Sequence, residues 1–291
     1  MPKITHADEF DEQQMFDDPL AKYYRMPGVH VRLPSEGAFM PPGSVQFTMN
    51  GDVPVYPMRA ADELLLKSPD ALMSGHAIEE LLKSCVPAIK TPRLVTSADL
   101  DVLLLAIRTA TYGEILELEP VCPKCETVNQ SQVNMAVVLA STKPIPPEHA
   151  VRLSDDVVVF LRPYNMENVT QMGIISFEET RKVQALEEAE DNKRLEQMNK
   201  SMHRMVVANL DAMASCVIRI IVKEGEVTDH TSIRRFIDNV SKSWTDKLQA
   251  KLDELNGLGM DKTYDMKCAK CGHKWRPEIE FNATTFFVSA S

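Results

Sequence analysis

Two C-x-x-C motifs set far apart in the chain restrict its folding more than any other feature. Cys122-Pro-Lys-Cys125 follows Glu114 to Val121, a run that alternates charged and apolar residues like a strand. Cys268-Ala-Lys-Cys271 follows Tyr264 to Lys267 and is succeeded by Gly272. Two residues between cysteines let both sulfurs turn to one ion while backbone amides face the thiolates, and Zn²⁺ takes four such ligands tetrahedrally. The expectation is that Cys122, Cys125, Cys268 and Cys271 share one structural Zn²⁺, with Lys124 and Lys270 offsetting the charge of four thiolates. One such motif fits a redox pair or coincidence equally well, whereas two with matching flanks favour a common site. Familiar zinc ribbons place about 15 to 20 residues between pairs. Here a long, mainly helical insertion intervenes, so the ion becomes a staple closing a large loop. Four cysteines leave no open position for water, which argues against a catalytic metal. His273 offers an alternative ligand but reads as a solvent-facing knuckle residue, with Trp275 packing under the hairpin.

Charge narrows the partners. Lysine and arginine number 32 against 42 aspartates and glutamates, a net charge of -10 that suits neither phosphate backbones nor anionic membranes. Nucleic acid and membrane are therefore not expected as partners. The start, MPKITHADEFDEQQ, lacks an apolar signal core, and no run approaches the roughly 20 apolar residues needed to cross a bilayer. The chain reads as soluble and unsecreted, so Asn-x-Ser/Thr triplets such as Asn168 to Thr170 are chance matches. In a reducing compartment six cysteines point to metal binding or burial rather than disulfides. Cys85 and Cys216 fall on apolar helix faces and read as core. His76, His149, His203 and His230 show no metal spacing, and the chain has no phosphate loop, dinucleotide fingerprint or nucleophile elbow. No enzyme is expected.

The fold class is α+β: a helical domain with a small zinc-ribbon-like β module built from the two distant knuckles, plus an extended N-terminal arm. Residues 1–57 form the acidic arm, interleaving Asp8, Glu9, Asp11, Glu12, Asp17 and Asp18 with Phe10, Phe16, Tyr23 and Tyr24. Such a segment suits ordering by a partner, and equally a frayed terminus. Residues 58–113 are helical: Ile78, Leu81, Leu82 and Cys85 make one stripe, and Leu100, Leu103, Leu104 and Ile107 another, with Ser97 as N-cap and Gly113 as terminator. Residues 114–162 hold the first knuckle, a return strand over Thr127 to Val133 and a strand over Val157 to Leu161. Residues 163–260 form the helical insertion. Val206, Leu210, Met213, Val217 and Ile221 share one helix face, and a further helix runs from Ser232 to Leu255. The charged stretch EETRKVQALEEAEDNKRLEQ reads as a solvated helix or a partner-facing rod. Residues 261–291 carry the second knuckle and a closing strand.

The order of motifs adds a resemblance. Leu33-Pro34-Ser35-Glu36-Gly37 is followed by Pro57-Met58 with Asp62-Glu63, then Ser74-Gly75 and Cys85. Asp99 to Arg108, Thr111-Tyr112-Gly113 and Cys122-Pro-Lys-Cys125 come next. This series resembles the T-even-type baseplate hub protein family of contractile-tailed bacteriophages, well over residues 28–140 and more loosely beyond. The resemblance implies a non-enzymatic structural or assembly protein of the baseplate hub, with other baseplate and tail proteins as hetero-oligomeric partners. It implies a location in the virion tail and, during assembly, in the host cytoplasm. Under it, residues 33–37 are a turn and docking segment, and residues 57–63 begin the first helix. Two other readings stay open: a zinc-ribbon adaptor for nucleic acid or a transcription partner, which predicts a basic or aromatic stripe near the knuckles, and a thiol oxidoreductase, which predicts one exposed low-pKa cysteine per pair and no bound metal.

Overall fold

The computed structural model describes residues 19–185, 191–279 and 286–287, and their apolar side chains gather into two cores. The first surrounds α4 (Ser97–Tyr112), preceded by α1 (Ala60–Leu66), α2 (Pro69–Met73) and α3 (His76–Cys85). Val102, Leu103, Leu105, Ala106 and Ile107 are all buried, so α4 is apolar around most of its circumference and runs through the core rather than along it. Its N-cap is Thr96, one residue before the expected Ser97, with the hydroxyl accepting the Asp99 amide. Extended φ/ψ at Thr96 allows that bond, while Ser97 already lies in the helix. Leu81, Leu82 and Cys85 are buried on α3, and Gly113 ends α4 at φ 88.

The expectation of an arm reaching residue 57 needs correction. β1 (Val29–Val31) and β2 (Val53–Val55) pair antiparallel. Val31, Val53 and Val55 are buried in the first core, as is Leu33. Burial of alternate residues outweighs the proline and glycine content that suggests an arm. The turn at 33–37 docks within its own chain: the Ser35 amide and hydroxyl both donate to the Asp99 carboxylate, itself fully buried at the start of α4. The acidic residues 8–18 lie outside the described residues, as does most of the expected closing strand. The C-terminal Phe286 and Phe287 join the first core, their carbonyls accepting from Arg108 and Tyr112.

After α4, β3 (Ile115–Leu118) and β4 (Ser131–Asn134) form a two-stranded ribbon with the first cysteine pair at its tip, and α5 (Met135–Ala140) returns the chain to the core. The second core is built on a four-stranded antiparallel sheet, β5 (His149–Arg152), β6 (Val158–Leu161), β7 (Val217–Val222) and β8 (Gly225–Val227), in that order. Helices α6 (Met166–Gln184), α7 (Asp191–Cys216), α8 (His230–Asn239) and α9 (Lys242–Asn256) accompany it.

Residues 163–260 are therefore not a purely helical insertion. Val217 and Ile221, expected on a helix, belong to a strand, because Val217-Ile-Arg-Ile-Ile-Val222 is rich in β-branched residues and pairs with β6. The helix expected from Ser232 to Leu255 is two: Val240 is extended and Ser241 is the N-cap of α9. The cores meet where Asn256 Oδ1 accepts from Ser97 Oγ and the Tyr164 amide, and where the Met166 amide donates to the Val95 carbonyl. Among the described residues no helix is long and apolar enough to cross a membrane.

Candidate metal centre

The two cysteine pairs reach one point from opposite ends of the second unit. Cys122 sits at the tip of the β3–β4 ribbon, beside an isolated bridge between Val121 and Val128. Cys268 and Cys271 lie between β9 (Met266–Lys267) and β10 (Lys274–Trp275), which pair antiparallel. Cys122 Sγ stands 3.7 Å from Cys271 Sγ, and Cys125 Sγ 3.6 Å from Cys268 Sγ. All four ligand atoms fall within 4.8 Å of one another. Four thiolates at about 2.3 Å from a tetrahedral Zn²⁺ stand roughly 3.8 Å apart, so the sulfur spacing fits such an ion. These four cysteines lie close together and can bind a metal.

The knuckles share one backbone design, set locally. The Cys122 amide donates to the Thr127 carbonyl and the Cys268 amide to the His273 carbonyl, each five residues on. The Glu126 amide returns to the Cys122 carbonyl and the Gly272 amide to the Cys268 carbonyl, each four residues back. Both motifs turn left-handed at the residue after the second cysteine, with φ 57 at Glu126 and φ 69 at Gly272. Glycine accepts that conformation freely, whereas glutamate does so at a cost. In the second knuckle the amides of Lys270 and Cys271 face the Cys268 sulfur.

Asn129 holds the knuckles in register. Buried between them, it donates from Nδ2 to the Thr127 carbonyl at 2.8 Å and accepts the Ala269 amide on Oδ1 at 2.9 Å. Its own amide donates to the Pro120 carbonyl. Sequence reasoning missed this residue: an asparagine four positions after a cysteine shows no sign of a partner near the other end of the chain. Gly272 was the available signal for the turn, and Glu126 hides the same turn in the first knuckle.

The thiols differ in their surroundings. The Thr127 hydroxyl and amide pull Cys125 down to about 6. The Cys271 amide lowers Cys268 against desolvation. Although the His273 amide favours the Cys271 thiolate, desolvation and the other sulfurs push this thiol up to about 11. Four crowded sulfurs thus resist full ionisation unless a cation joins them, and metal binding releases the protons they retain. Cys122 and Cys268 are buried while Cys271 is exposed, so the cluster lies at the surface with two of its cysteines beneath it.

His273 is half-buried and stacks on Trp275 with 6.1 Å between ring centroids and 10° between planes. It lies outside the four-sulfur group. Cys85 and Cys216 are far from solvent, and desolvation pushes each thiol up to about 11, leaving inert core residues.

A family model described as T4 bacteriophage base plate protein matches residues 51–288. No curated protein and no solved structure matches the chain. The family match takes in the second core, most of the first and both cysteine pairs, so this chain, with its two remote knuckles brought together, belongs to the T4 bacteriophage base plate protein family.

Proposed function

We propose that the protein is a non-enzymatic structural or assembly component of the baseplate hub of a contractile-tailed phage, and that Cys122, Cys125, Cys268 and Cys271 hold one structural Zn²⁺. The observation that carries the reading is a family match that includes both knuckles, whose sulfurs converge at tetrahedral spacing. A four-thiolate zinc supplies no chemistry on a substrate; it cross-links the chain. The protein's own residues do the remaining work: Asn129 fixes the register of the knuckles, and the matching amide–carbonyl bonds of each knuckle shape the turns that carry the cysteines.

Its partners are other baseplate and tail proteins in a hetero-oligomeric assembly, and its place is the virion tail, reached from the host cytoplasm. Coexpression with the other tail proteins of the same phage tests this. Recovery in a stable baseplate subassembly is expected, with loss of that assembly when Cys122 and Cys268 are both serine. A wild-type chain absent from every tail complex refutes the reading.

A second reading, an adaptor for nucleic acid, draws support from exposed Lys267, Lys270 and Lys274 around the His273–Trp275 stack. Against it, exposed Glu114, Glu117, Glu119 and Glu126 surround the first knuckle and repel a phosphate backbone. Filter binding at low salt separates the two, with no retention expected for the structural component.

A further inference from the structure

We propose that the α6–α7 hairpin is a dimerisation element in which each copy lays α7 over α6 of a second copy, forming a four-helix bundle. The two helices pack against each other through a polar seam. Glu179, almost fully buried, accepts from Ser201 at 2.8 Å and from Arg204 and Lys182, each at 2.7 Å. Gln197 donates to Ser201 in the same seam. A hairpin that places its ion pairs inside ordinarily turns apolar residues outward only to meet another surface.

The outward residues on α7 are Leu195, Met198, Met202, Met205 and Val206, with Leu195 58% and Met202 62% exposed. Leu195, Met198, Met202 and Met205 follow steps of three, four and three, the spacing of a coiled-coil seam, so the occupant is a helix. At 100° per residue these side chains lie on one flank of the line joining α7 to α6. On α6 the same flank carries Val169, Gly173, Ser176 and Thr180, all exposed. A Cβ added at Gly173 meets nothing within 4 Å.

Large side chains on one helix and small ones on its neighbour make this face complementary to itself. A two-fold axis along the hairpin sets the methionines of each α7 over the small residues of the other copy's α6, antiparallel. A foreign helix would need to match both strips independently, whereas a second copy does so by symmetry. The exposed apolar surface is on the order of 500 Å² per copy, so pairing buries about 1,000 Å², the lower bound for a specific interface.

The test is the mass of the full chain by analytical ultracentrifugation across a concentration series. The wild type is expected to pass from monomer to dimer, and Met202→Glu and Gly173→Arg, on different helices of one face, each to remain monomeric with an unchanged circular dichroism spectrum. Gln171→Lys, at an exposed position on the opposite flank of α6, is expected to dimerise like the wild type. Mixing Met202→Cys with Ser176→Cys chains and adding a short bismaleimide is expected to give a cross-linked pair absent from wild type. A wild type that stays monomeric throughout overturns the proposal. So does a dimer indifferent to both substitutions, or one that cross-links only Met202→Cys to itself.

Discussion

If one ion joins the four sulfurs, replacing Cys268 by serine or adding a strong chelator is expected to open a cross-link between two ends of a long loop. Cys125 and Cys268 are separated by 143 positions. Closing a loop of that length in the unfolded chain corresponds to about 5 kcal/mol at 25 °C in the chain-entropy treatment of cross-links. That figure is a ceiling, because residual structure in the unfolded chain lessens it, and a loss of about 3 to 5 kcal/mol is expected. Against a total stability of about 5 to 15 kcal/mol, this moves the unfolding of the whole chain, not of one hairpin. Asn129 and the packing of Ile279 hold the same ends together in the native state. They do nothing to restrict the unfolded chain, so they would not replace an ion bound by the four sulfurs. The assay is urea unfolding with and without chelator, alongside elemental analysis. Wild type is expected to carry one zinc per chain and to lose stability on chelation, while Cys268→Ser and Cys122→Ser start at the lower value and ignore the chelator. If either variant keeps its zinc and unfolds within about 0.5 kcal/mol of wild type, the shared-site argument fails.

Two further perturbations address the turns and the buried acid. Gly272→Ala puts a side chain into a left-handed turn and is expected to cost about 1 kcal/mol, whereas Glu126→Gly at the matching position is expected to stabilise by up to about 1 kcal/mol, both read by urea unfolding. Asp99→Ala leaves the buried Ser35 amide without an acceptor and is expected to cost about 3 kcal/mol, while Asp99→Asn keeps one acceptor oxygen and costs about 1. Burial raises the Asp99 carboxyl above its ordinary range in spite of these bonds. Its contribution is therefore greatest below the ordinary carboxylate value and declines as pH rises through the raised one, so a stability profile of Asp99→Asn is expected to lack that decline.

How much of this was legible beforehand differs between elements for identifiable reasons. The stripe on α3 and the buried helix α4 show in the sequence because helix periodicity is local: Leu81, Leu82, Leu103 and Ile107 declare their face through spacing alone. The four cysteines that cluster are legible for the same reason, since C-x-x-C with matched flanks encodes a knuckle within a few residues. β7 was misread, because β-branched residues following a helical run fit either state until β6 is present to pair with them. Residues 28–57 read as an arm because nothing nearby reveals that Val31, Val53 and Val55 are covered by α4.

The sequence by itself determined the two cysteine knuckles, the acidic balance and the stripes of α3 and α4, all readable from local spacing or composition. Only the tertiary structure decided that the sulfurs of Cys122 and Cys271 stand 3.7 Å apart, that Asn129 spans the two knuckles, and that the apolar strip of α7 lies on an exposed flank of its hairpin with α6. Each depends on segments remote along the chain coming together. Local spacing fixes what a side chain can do, but contact across such distances comes from the packing of the whole chain.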